Sequence, residues 1–186
     1  MEDEKVTACL SRELAKRAGW NESPALYFLA EDDGGFWLPG FCVSPSFWQA
    51  GHPGAILANM ARLLEGAAVA ALDLFPPLPP GFAGVAFRFE GWSTPPLNED
   101  SDPALVERMR RASAEHEIYL QPERVEIRAF AACATDGTSY FVSQQRGSDE
   151  LEVSVNPEES GRIPVALARL TLGLKVVAEH QRNQVQ

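Results

Sequence analysis

The chain has 186 residues, 45% of them hydrophobic and 23% charged, with a net charge of −10. At this size about 70% of the unfolded surface can be buried, so folding needs neither a metal nor a disulfide framework. The acidic balance opposes phosphate binding and no Lys/Arg run offers a local exception, which excludes non-specific nucleic-acid binding.

Three cysteines, Cys9, Cys42 and Cys133, form no CxxC pair. That usage predicts reduced thiols and a cytoplasmic setting. The opening MEDEKVTACL is acidic where a secretory leader is basic. The longest apolar stretch, 55–75, is broken by Asn59, Arg62, Glu65 and Asp73, which argues against a membrane span.

In chain order, Val6, Cys9, Leu10, Leu14 and Ala18 recur at helical spacing. Glu2, Asp3 and Glu4 open that helix, Lys16 and Arg17 end it, and Gly19 is its expected stop. Two apolar runs around Asp32-Asp33-Gly34-Gly35 predict a hairpin. Pro39 and Pro45 end its second strand and give an irregular stretch through Trp48. Pro53 suits a first helical position, and an apolar helix is expected from there to Phe75. Its polar residues Asn59, Arg62 and Asp73 fall within roughly 60° of one another at about 100° per residue. Pro76 and Pro77 stop it, and PPLPPG reads as a stiff spacer rather than a proline-rich ligand.

GVAFRFEGW, residues 84–92, is the next strand, followed by a polar loop over 93–102. Asp102-Pro103 pairs an N-cap with a first helical residue, and a short helix follows through Ala112. Residues 124–134 and 139–146 form a second hairpin around Thr135-Asp136-Gly137-Thr138, and 151–155 adds an edge strand. The last helix runs from Pro164, is weakened by Gly173 unless a neighbour packs there, and frays over 181–186.

This order predicts one α+β domain over 1–186, with a single antiparallel sheet of five to six strands and four helices. The element order is similar to that of GAF-like and PAS-like sensor domains. The pattern FAGVAFRFEGW, then RVEIRAF and DGTSYFVSQQRG, resembles a group of actinobacterial and actinophage proteins without an assigned activity. That likeness spans roughly the third quarter of the chain and implies no site residue.

The strands carry the first site candidates. Alternation puts Val85, Phe87 and Phe89 on one face and Ala86, Arg88, Glu90 and Trp92 on the other. Arg124, Glu126, Arg128 and Phe130 share the corresponding face of a later strand. One reading is a solvated ladder of opposite charges on the wet side of an antiparallel sheet. The other is a polar cleft in which Arg88, Arg124 and Arg128 clamp an anion, with Glu90 among them and Trp92 and Phe130 stacking on the ligand.

Phe36, Trp37, Phe41, Phe47 and Trp48 form the second candidate, either a satellite core under a loop or an exposed partner patch. The remaining motifs carry little chemistry. His52 in GHPG lacks the spacing of a phosphate loop and fits a helix start. His116, between Glu115 and Glu117, cannot converge with them on one ion. His180 falls in the expected frayed tail. Asn98 to Asp102 begins like a calcium loop but has Pro103 where glycine is required and Met109 where glutamate is required. There is no GxSxG and no HExxH. Cys9 and Cys133 lie on apolar faces, and Cys42, near Trp37 and Trp48, is the one loop thiol.

No catalytic set, metal or cofactor is therefore expected. The leading expectation is a non-enzymatic interaction domain that self-associates through its terminal helices or the 36–48 segment. The alternative is a sensor-like domain for an anionic small molecule at Arg88, Arg128 and Trp92, and the third is an enzyme of unfamiliar type.

Overall fold

Val6, Cys9, Leu10 and Leu14 share the buried side of helix α1, Asp3–Ala15. The computed structural model describes residues 2–17, 19–41, 43–67, 72, 75–95, 97, 100–115, 117–157 and 161–184. Helix α1 stops a turn before the expected Gly19. Lys16 and Arg17 donate their N–H groups to Arg12 and Leu14 carbonyls, which closes the helix at Ala15.

Strands β1 (Ala25–Asp32) and β2 (Gly35–Trp37) form the first hairpin, with Asp32 opposite Gly35. Gly35 takes φ +110, and Asp32 accepts from the Gly34 N–H at 2.8 Å. Past β2 the chain stays beside β1: the Phe28 N–H donates to Pro39, and the Phe41 N–H to Leu26. A 3-10 turn, Pro45–Ala50, leads to helix α2, Pro53–Glu65. The helix expected to reach Phe75 ends ten residues earlier. Gly66, weak in helices, bonds back to Arg62, and Ala67 to Leu64. Asp73, expected on the polar stripe of that helix, lies outside the described residues.

The rest follows as β3 (Phe82–Ser93), α3 (Pro103–Ala114), β4 (Val125–Ala134), β5 (Ser139–Gln145), β6 (Leu151–Val155) and α4 (Arg162–Gln184). Asp102 caps α3 by accepting from the Ala104 N–H. The six strands make one antiparallel sheet in the order β2-β1-β3-β4-β5-β6.

Both faces of this sheet are covered, which corrects the expectation of one wet side. Helix α1 lies over Leu29, Ala86, Phe130, Ala132, Tyr140 and Val142. Helices α2 and α4 lie over Leu26, Val85, Phe87, Ala131 and Cys133 on the opposite face. Apolar residues therefore occupy both faces in mid-sheet, and Arg88, Glu90 and Arg128 lie together at one end of the α1 side.

Helices α2 and α4 run parallel, with Gly54 against Arg162 and Leu64 against Gly173. A Cβ on Gly173 would sit 2.9 Å from Leu64 Cβ, so a neighbour does pack there. The expected fraying from 181 is not seen: α4 continues to Gln184. The Gln181 side chain accepts from the Leu78 N–H at 3.1 Å and donates to Pro76 at 3.2 Å.

Two predictions follow from this packing. Gly173→Ala should destabilise the protein by about 1–3 kcal/mol in urea unfolding, despite the better helix propensity of alanine. The buried Tyr140 hydroxyl donates to Asp3 Oδ1 at 2.8 Å. Burial first, then Asp3, raises the phenol above its ordinary range. Because its folded value is raised, its contribution is complete below about pH 10 and is lost as pH climbs through the folded value. Alkaline unfolding of Tyr140→Phe should lack that part of the decline in stability, measured as the difference from wild type.

Candidate functional site

The charged end of the sheet lies where α1 stops. Glu90, Arg128 and Gln144 are aligned across β3, β4 and β5. The strand charges bind the backbone of the turn joining α1 to β1. Glu90 accepts from the N–H groups of Asn21 at 2.7 Å and Glu22 at 3.1 Å. Asn21 takes φ +66, a left-handed conformation that asparagine tolerates well. Arg128 donates to the carbonyls of Arg17 and Gly19, and Gln144 Oε1 accepts from its Nε and Nη2. Arg17 and Gly19 lie just past the C-terminus of α1, where a cation also complements the helix dipole.

Arg88 completes this latch. Its Nη2 donates to the Ser23 carbonyl at 2.9 Å, and its Nη1 lies 2.7 Å from Glu22 Oε2. That contact is an ion pair only, because the buried Nη1 makes no aligned hydrogen bond. Only 12% of the Arg88 side chain is exposed, so the solvated-ladder expectation fails for this strand. The turn covers the charges because its own N–H and C=O groups need partners once they lie against the sheet.

The expected anion clamp is not assembled either. Between Arg17, Glu22, Arg88, Glu90 and Arg128 the open space is about 10 Å³, enough for one water. Arg124 points elsewhere: it lies 4.5 Å over the Trp92 ring and donates to Gln121. Phe130 is buried under α1, 5.7 Å from the Tyr27 ring. Glu126 pairs with Arg146, and Arg146 and Arg128 both lie over Trp20.

The aromatic segment is divided. Phe36 belongs to the α1-side core, and Trp48 to the opposite core, 5.0 Å from the Phe87 ring. Phe41 packs on Phe28, and only Trp37 and Phe47 are exposed. The segment is thus mostly a satellite of the core.

It does form one wall of a cleft of about 310 Å³. Leu26, Phe41, Val43 and Trp48 supply apolar lining, and Glu22 and Arg88 supply the charged part. Sequence reasoning singled out Arg88, Phe41 and Trp48 but missed Trp20, Glu22, Leu26 and Val43. The signal available was GWNESP, a short helix-to-strand connection with an asparagine suited to positive φ and an acid beside it.

The other candidates resolve simply. His52 caps α2 through Nδ1, which accepts from the Gly54 N–H at 3.1 Å. Burial raises the thiols of both Cys9 and Cys133, the opposite of an activated nucleophile. Cys42, Asn98, Glu99 and His116 lie outside the described residues. Among the described residues no group of His, Cys, Asp or Glu could hold a metal ion. No described helix is long and apolar enough to cross a membrane.

Fold and site together define an α+β domain with a doubly covered antiparallel sheet, a charged latch at one end and an adjacent cleft. No family model, curated protein or solved structure matches the chain.

The latch makes a sharp prediction. Arg88→Ala combined with Glu90→Ala should cost about 3 kcal/mol or more in urea unfolding, since both lose charge-assisted hydrogen bonds to backbone. Limited trypsin digestion should then cut at Lys16 and Arg17 well before the rest of the chain. Unchanged stability together with an unchanged digest would refute the latch.

Proposed function

We propose that this chain is a non-enzymatic interaction domain that pairs with a second copy of itself through the outer face of α4. The observation that carries the reading is a second apolar stripe on that helix. Ala166, Leu167, Leu170, Leu174 and Val177 face the core. On the other side, Val165 is 53% exposed, Leu172 65% and Val176 50%. These three lie within about 40° of one another around the helix, with exposed Ala168 beside them. On neighbouring α2, Leu63 is 76% exposed.

A solvated helix does not need apolar residues on both sides. The order of residues also suits antiparallel pairing about the midpoint between 170 and 171. That register sets Val165 level with Val176 of the second copy, and exposed Arg162 level with exposed Glu179. At about 34 Å, a 23-residue helix is long enough to anchor an interface of ordinary size.

A reducing, cytoplasmic setting is consistent with this reading. Cys9 and Cys133 are free, buried and packed in cores on opposite faces of the sheet.

Analytical ultracentrifugation should show a dimer that dissociates on dilution. Leu172→Glu with Val176→Glu should weaken it at least about a hundredfold, with helical circular dichroism retained. A wild-type chain that stays monomeric at about 100 µM would overturn the proposal.

A further inference from the structure

We propose that the cleft between the 22–26 connection and the 41–48 segment binds a free amino acid with an apolar side chain. Its volume of about 310 Å³ sits at the lower end of the range for small-molecule sites. Leu26, Phe41, Val43 and Trp48 give it a largely apolar wall. The side of Trp48 is held by Phe87 and Phe47, so this wall is fixed by packing before any ligand arrives.

The charged part of the lining selects the class. Arg88 and Glu22 touch at 2.7 Å, so a cation and an anion, with Ser23 beside them, form one polar spot in a mostly apolar space. A ligand with one charge would meet attraction from one of them and repulsion from the other. A purely apolar ligand would strip water from both and return nothing. A zwitterion carrying carboxylate and ammonium on one carbon satisfies both, with the carboxylate toward Arg88 and the ammonium toward Glu22. Arg88 Nη1 is buried against Glu22 at 2.7 Å, so a ligand carboxylate would reach it only as Glu22 turns toward the ammonium. The apolar side chain then lies against Trp48 and Phe41.

Isothermal titration calorimetry tests this with three probes: L-phenylalanine, N-acetyl-L-phenylalanine and L-phenylalaninamide. The free amino acid should bind at least about tenfold more tightly than either singly charged analogue. Glu22→Gln should reduce that preference over the acetylated probe to about twofold or less. Val43→Trp, which fills the cleft from an irregular segment, should abolish binding while circular dichroism stays native. Equal affinity for all three probes, or retained binding in folded Val43→Trp, would overturn the proposal. So would the absence of saturable heat with L-phenylalanine and L-leucine at about 1 mM.

Discussion

Helix α1 has 13 residues and so spans about 20 Å, whereas the 12-residue strand β3 beneath it spans about 40 Å. The helix covers the sheet only as far as its apolar residues reach. Beyond Ala86 the same face must be covered by something without helical hydrogen bonds of its own. The turn after α1 does this, and its backbone groups take their partners from Glu90, Arg128 and Arg88. Charges on a strand face are here the means by which an irregular segment is seated on a sheet. The placement of β1, the one-water cavity and the mouth of the cleft all depend on that seating.

Strand alternation was readable because side chains alternate faces along a strand, although burial in β3, β4 and β5 runs unbroken through mid-strand because both faces are covered. The hairpins at Asp33-Gly34 and around Gly137 were readable for a related reason, since turn chemistry is local. What covers each face was not readable. Arg88 looks the same in sequence whether water, a ligand or a backbone carbonyl meets it, and its partners lie more than 60 residues away. The overlong α2 is another such case. The apolar pattern continues past Gly66, and periodicity alone does not register that two N–H groups turn back there.

The cleft was legible only in pieces. Trp48, Phe41 and Arg88 each drew notice, but for separate reasons and in separate candidate sites. A shared strand face groups Arg88 with Trp92 and Arg128. The structure joins it instead to the other side of the β1 edge, where the 41–48 segment returns. Arg88 therefore belongs to both the latch and the cleft lining, and a ligand that recruits Glu22 would loosen one contact of the latch. Occupancy of the cleft by the proposed ligand would thereby be coupled to the turn at 19–24 through a single carboxylate.

The parallel pairing of α2 with α4 has a consequence for how the chain acquires its structure. These helices are adjacent in space, yet about 100 residues separate Leu64 from Gly173. Trp48, Ile56, Leu57 and Ala61 supply part of the cover over Val85, Phe87, Ala131 and Cys133, and the rest comes only with Leu167, Leu170 and Leu174. During synthesis, the sheet must therefore wait with that face only partly protected until the chain beyond residue 174 has emerged. Closure of such distant contacts is slow relative to local hairpins, and the waiting surface is apolar. The nascent chain is most exposed to aggregation in that interval, when all six strands exist but one of their two faces has only half its roof.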